Sequence, residues 1–288
     1  MPSGEPNVAT LLTWFLPGAG HLYIGRATFG LVAFVLVEGL YLLGLKLSGG
    51  MGFEFLQPEL RGPFAPALAP ELGNLGALIY HMQSYGYGLP VPRPFPDTVV
   101  LGTTLTAISG VLNLCLMCHA NFEARLPKDV HTGWKSPALP VLLTWICPGL
   151  GHWFQGRKLR GTLVFLSLVG CVVLGTILAD ASNLSRERHY YYWGGQVMAG
   201  APALLLQLVW GAKSLNSYVP YGEAGLVFAA VAGMLNILAM LDVYGFAARR
   251  WEGSDSETEE PARSEDAANA SDGGSAETTP SATAEVTA

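Results

Sequence analysis

Charge is what this chain has least of. Only 13% of its 288 residues are Asp, Glu, Lys or Arg, against about 25% in an ordinary soluble domain. Catalytic signatures are missing too. There is no Walker lysine loop, no H-E-x-x-H, no G-x-S-x-G and no dinucleotide-type glycine run, so the common nucleotide, zinc and serine-hydrolase chemistries have no motif to stand on. Cysteine is scarce: Cys115, Cys118, Cys147 and Cys171 all lie in apolar segments, which argues against an extracellular disulfide framework. The first residues carry no basic n-region, and no cleavable signal peptide is expected. Scattered basic residues give no support to nucleic-acid binding.

What is there is apolar. Half of the residues are hydrophobic and the mean hydropathy is +0.34. Nearly uncharged runs fall at 27–47, 98–118, 161–179 and 224–241, each near the ~20 residues a helix needs to cross about 30 Å of hydrocarbon. The net charge of -6 is uneven, because residues 252–288 hold ten acids and one base. That tail has too little apolar surface to offset the entropy of ordering, so residues 251–288 are expected to be a disordered acidic tail.

The chain also repeats itself. Leu11-Leu-Thr-Trp-Phe-Leu-Pro-Gly-Ala-Gly-His-Leu-Tyr-Ile-Gly-Arg26 returns 131 residues later as Leu142-Leu-Thr-Trp-Ile-Cys-Pro-Gly-Leu-Gly-His-Trp-Phe-Gln-Gly-Arg157. Gly30, Gly39 and Gly44 recur as Gly161, Gly170 and Gly175 in the same register, and Asn113 recurs as Asn236 at an offset of 123. Self-similarity in such segments points to a duplicated membrane unit. The units are read as 1–125, with a proline-rich outer segment 48–97 that includes Pro58, Pro63, Pro90 and Pro92, and 126–250.

Each unit begins with a short apolar piece, 8–16 or 138–147, ahead of Pro17 or Pro148. These pieces are too short to cross and suit re-entrant or interfacial half-helices. The fold expected is therefore all-α: a tandem duplication with four long transmembrane helices and two half-helices. Two crossings per unit make the repeats parallel. An inside N-terminus puts nine basic residues inside, including Arg157, Lys158 and Arg160, and six outside, including Arg61, Arg186 and Lys213. The positive-inside rule then favours a cytoplasmic membrane protein with both termini in the cytoplasm. The segment 196–212 is read as lying against the outer interface, by parity with the polar stretch 71–86.

Candidate functional residues are few. Pro17, Gly18, Gly20 and Gly25, with Pro148, Gly149, Gly151 and Gly156, build the two turns. Turns of this kind free backbone groups that can bind polar species. His21 and His152 sit alike in them and could face one another across a pseudo-two-fold axis, or hydrogen-bond the freed carbonyls. Two imidazoles make a poor metal site. Glu38 is the only acid deep in a long apolar run, replaced by Val169 in the second unit; Asn113 and Asn236 are its expected polar neighbours. The six recurring glycines read as helix-packing positions. Cys115-Leu-Met-Cys118-His119 spells a haem-attachment pattern, but it ends an apolar helix and has no counterpart cysteines in the second unit. No metal or cofactor is expected.

The turn Pro17-Gly-Ala-Gly20-His21-Leu-Tyr23-Ile-Gly25-Arg26, followed by a Gly-containing apolar helix, resembles the bacterial TM-two domain and its uncharacterised relatives. The leucine-asparagine helix ending in Asp242-Val-Tyr244 is similar to the closing helix of duplicated bacterial membrane proteins of unknown function. The resemblance implies a membrane domain and names no activity. The turn here has one fewer residue between His21 and Gly25, and no catalytic residue carries over. The reading is a non-catalytic membrane protein with an organising role. The bilayer, a membrane-protein partner or a second copy are its expected partners. The alternatives are a small-solute or ion carrier using the turns and Glu38, and an enzyme acting on a lipid-like substrate.

Overall fold

The computed structural model describes residues 2–88, 94–211 and 219–272. Pro90, Pro92 and Lys213 lie outside the described residues. Helices α1 (Pro6–Phe15), α2 (Ala19–Tyr23), α3 (Ala27–Leu47), α4 (Leu75–Tyr85) and α5 (Val99–Arg125) make up the first repeat. The second comprises α6 (Ala138–Ile146), α7 (Leu150–Phe154), α8 (Lys158–Leu178), α9 (Tyr190–Val197), α10 (Ala201–Trp210) and α11 (Gly222–Asp272). Among the described residues, four helices are long and apolar enough to cross a membrane: Ala27–Leu47, Val99–Arg125, Lys158–Leu178 and Gly222–Trp251. They cover the four expected runs. The described residues form no strand.

Proline sets where the short helices stop. A residue ahead of proline is pushed out of the helical region. Leu16 (φ -145°, ψ 110°) and Cys147 (φ -148°, ψ 119°) are both extended, so α1 ends at Phe15 and α6 at Ile146. Pro6 opens α1 and Pro202 falls in the first turn of α10, where a missing N–H breaks no helical bond.

Helix α5 is the spine of the first repeat. The chain ahead of α1 bonds one end of it, with Ser3 N–H donating to Leu126 O and Gly4 N–H to Ala124 O. Asn121 holds Thr10 near that end, and Asn113 holds Thr13 at mid-helix. The other half of α5 is covered by the turn Pro70–Gly73 and the start of α4, through Glu71–Thr106 and Asn74–Ser109. The two half-helices meet end to end: a Cβ on Gly76 would fall on the Phe15 carbonyl, and the Trp14 indole donates to Leu72 O at 2.7 Å. With ten and eleven residues, α1 and α4 stack to about 31 Å at 1.5 Å per residue, the thickness of a bilayer core. The second repeat copies the junction. Trp145 donates to Val197 O at 3.3 Å, and a Cβ on Gly200 would fall on the Trp145 carbonyl. The ten-residue α10 thus pairs with α6 as α4 pairs with α1, and its start at Gly200 separates it from α9.

Glycines bring the long helices together. A Cβ on Gly44 would lie 2.5 Å from Gly102 O, and one on Gly175 2.6 Å from Gly225 O. Gly30 and Gly161 pack against the turns, at 2.7 Å from Gly18 O and 2.8 Å from Gly149 O. Gly39 and Gly170 depart from the packing expectation: nothing lies within 4 Å of a Cβ at either. The reason is angular. Nine residues turn a helix through about 900°, which sets Gly39 half a revolution from Gly30, on the outward face.

The repeats also bind each other. Arg186 of the second donates to Glu71 Oε1 at 2.7 Å and to Thr103 O at 2.9 Å in the first, and its guanidinium lies 4.7 Å from the Trp193 ring centre. Both repeats belong to one compact unit, Met1–Ala247, and Ala248–Ala288 forms the other. The boundary near 125 is thus one of repetition within a single unit. Helical backbone enters the acidic tail as far as Asp272. Side chains from Glu252 onward, and residues 273–288 altogether, lie outside the described residues, and with them the rest of the expectation for the tail.

Candidate functional site

The repeated motif folds the same way twice, and nearly every residue in it has a structural task. After Pro17 and Pro148 the chain reverses through Gly18 (φ +82°) and Gly149 (φ +88°), a conformation that costs a residue with a Cβ about 1–2 kcal/mol. Gly20 and Gly151 let α2 and α7 press on the Ala9 and Pro140 carbonyls. Thr13 donates its hydroxyl to Ala9 O at 2.9 Å and accepts the Gly20 N–H at 3.2 Å, while Thr144 donates to Pro140 O at 2.8 Å. Gly25 (φ +86°) and Gly156 (φ +80°) close the short helices ahead of Arg26 and Arg157.

Asn113 and Asn236 serve the breaks. Asn113 donates to Thr13 O at 2.8 Å and to Gly73 O at 2.9 Å, and Asn236 donates to Thr144 O at 3.1 Å and to Met198 O at 2.9 Å. Each amide bridges the carbonyls that two interrupted segments leave free, as helix ends require. Neither is the partner of Glu38, contrary to expectation. Their amide donors are spent on backbone carbonyls.

The histidines also differ from expectation. Each reaches the long closing helix of its own repeat, and neither bonds a freed carbonyl with its side chain. His21 Nε2 lies 2.7 Å from His119 Nδ1, and His119 Nε2 lies 3.6 Å from Glu123 Oε1. Glu123 is fully buried, ion-paired with Arg26 and hydrogen-bonded by the Thr132 hydroxyl and N–H. In the second repeat, His152 Nε2 lies 3.1 Å from Asp242 Oδ2, which also receives Arg157 at 2.8 Å, while Arg160 reaches Oδ1 at 3.0 Å. His119 and Asp242 correspond by the 123-residue offset. Both copies thus tie the turn histidine and arginine to an acid on the closing helix. In the first, His119 stands between, and the acid lies one helical turn further on.

Burial above all pulls the His21 pKa down to about 3, helped by His119 and Arg26. Burial also lowers that of His152, helped by Arg157 and opposed by Asp242. Both rings are neutral at pH 7, and the buried Nδ1 of each has no hydrogen-bond partner among the described residues. Cys115 and Cys118 are free thiols on α5, and the His119 ring that would complete a haem pattern is engaged by His21.

A second polar group belongs to one end of the first repeat. Tyr41 hydroxyl meets His81 Nδ1 at 3.3 Å, and His81 Nε2 meets Gly50 O at 3.0 Å. With Glu71, Arg186 and Tyr190, His81 lines a space of about 10 Å³, room for one water. Glu71, Arg186 and Glu123 were not among the candidates from sequence, where His119 figured only in the haem-attachment pattern and Asp242 only at the end of the closing helix. The Arg at the end of each repeated motif was the available signal for the inner acids. The Glu71–Arg186 pair had none, because its members come from different repeats.

Four membrane-length helices in two tandem copies, each completed by a pair of abutting half-length helices, define an all-helical, multi-pass membrane protein built by duplication. The chain belongs to a family of unknown function, DUF6677, whose profile matches residues 8–131 and again 139–254. The two matches coincide with the two repeats. No curated protein matches the chain, and no solved structure does.

Proposed function

We propose that the protein is a non-catalytic organiser of the membrane around it, held in a bacterial cytoplasmic membrane with both termini inside. In this reading α1–α2 and α6–α7 are re-entrant hairpins entering from the cytoplasmic face. They meet α4 and α10, which return from the bilayer centre to the outer face. One observation carries the reading. The residues that both repeats share, Thr13, Trp14, Gly18, Gly20, His21, Arg26, Asn113 and their counterparts, are engaged in holding the short helices and turns to one another and to the long helices. A duplicated active site would leave some of them facing a substrate.

The test is reconstitution in vesicles with a panel of ions and small solutes. The expected result is no flux above protein-free vesicles, with alanine at His21 or His152 lowering thermal stability and yield. Flux that falls in these variants and in Glu38→Ala, while expression and assembly persist, would instead favour a carrier. That second reading draws on Glu38, Tyr41, Glu71 and His81 of the first repeat with Arg186 of the second, a group that is not duplicated, since Val169 and Val172 stand at the repeat positions of Glu38 and Tyr41.

A further inference from the structure

The two repeats share more than their turns. A cleft of about 640 Å³ runs between α3 and α5, and one of about 240 Å³ between α8 and α11. They are the same groove. Ala33, Leu112 and His119 line the first, and the residues at their repeat positions, Val164, Leu235 and Asp242, line the second. The first groove has a third wall from the start of the second repeat, through His131 and Ser136 and through Leu139 of α6. We propose that the first-repeat groove is a binding site for one acyl chain of an anionic glycerophospholipid, with the phosphate at the mouth formed by Arg26, His131 and Ser136.

Length selects the occupant. The α3 wall runs from Arg26 to Val37, about 16 Å at 1.5 Å per residue, which is one leaflet of a hydrocarbon core about 30 Å thick. A partner helix, or the same helix of a second copy, needs a groove of full membrane depth, and this one stops short of Glu38. Polarity selects the orientation. Below the mouth the walls are Phe29, Val32, Leu36, Leu112 and Leu116, and the polar groups gather at one end. Charge selects the headgroup. Arg26 is ion-paired with the buried Glu123 and donates to Val130 O at 2.7 Å, so these two charges offset and the balance at the mouth is set by the segment that closes it. The segment closing the mouth carries Lys128, His131 and Lys135 against Asp129. In the second groove the corresponding mouth has Arg157 and Arg160 but also the half-exposed Asp242, so the first repeat is the one assigned. This site rests on the organising role proposed above but is tested without it.

The experiment uses the full chain in nanodiscs containing phosphatidylglycerol with a photoreactive group in one acyl chain, with crosslinks mapped by peptide mass spectrometry. Crosslinks are expected to concentrate on Leu112, Cys115, Leu116 and Leu139. Unlabelled phosphatidylglycerol should compete about tenfold better than phosphatidylcholine, which carries the same phosphate but adds a choline cation that a basic mouth repels. Val32→Trp fills the groove from an exposed position and should abolish these crosslinks; Leu36→Trp is the second variant should the first misfold. Crosslinks spread evenly over the lipid-facing sides of all four long helices would overturn the site, and equal competition by phosphatidylcholine would overturn the anionic headgroup. Neither readout involves solute flux, so this proposal and the organising role can fail separately.

Discussion

At the scale of single residues, the two buried asparagines act on backbone that the breaks expose. Asn113 and Asn236 each hold two carbonyls. Leaving a buried acceptor unsatisfied costs about 1–3 kcal/mol. Asn113→Ala and Asn236→Ala should therefore lower the melting temperature in detergent by similar amounts, while Asn121→Ala, at the partly exposed helix end, should cost less. The histidines make a pH prediction. His21 titrates near 3 in the folded chain and near 6.5 unfolded, so the unfolded state binds the extra proton between those values. Stability should be complete above about pH 6.5 and fall with acid by up to about 1.4 kcal/mol per pH unit. His21→Gln should flatten that slope, as measured by unfolding at a series of pH values. The sequence placed both histidines and both asparagines in the turns and mid-helix positions they occupy. Their partners were not legible, because hydrogen bonds across the fold depend on which helix faces which turn.

At the scale of elements, the repeat motif located the four long helices and the ends of the short helices at Pro17 and Pro148, since proline, glycine and apolar length act locally. The glycines show where local reasoning stops. Recurrence in the second repeat marked Gly30, Gly39 and Gly44 alike, yet a nine-residue step leads to the opposite face. Gly44→Ala and Gly175→Ala should cost about 1–3 kcal/mol by forcing α3 from α5 and α8 from α11. Gly39→Ala and Gly170→Ala meet nothing within 4 Å and should be neutral or gain up to about 1 kcal/mol of helix propensity. Thermal unfolding of the four variants side by side decides it. The pairing of α1 with α4, and of α6 with α10, was half visible. The first partners are announced by Pro17 and Pro148. The second were read only as an interfacial stretch, because nothing local shows that they complete a span.

At the scale of the whole molecule, duplication supplies the frame and divergence supplies the individuality. Glu71 and Arg186 each belong to one repeat and lock the two together. Removing one member of a buried pair leaves an uncompensated charge, at about 3–5 kcal/mol, whereas replacing both by apolar residues is often neutral. Arg186→Met should therefore destabilise far more than Glu71→Leu combined with Arg186→Met. The central claim is the arrangement itself: two parallel units, each with two crossings and one span made of two abutting half-helices. The orientation proposed above predicts that residue 84 is reached from outside and residue 254 from inside. Membrane-impermeant thiol labelling of single cysteines at Ser84 and Ser254, in a background without the four native cysteines, tests it directly. Ser84→Cys should label only from outside the cell membrane and Ser254→Cys only after the inner face is opened. Labelling of both from one side would contradict the arrangement.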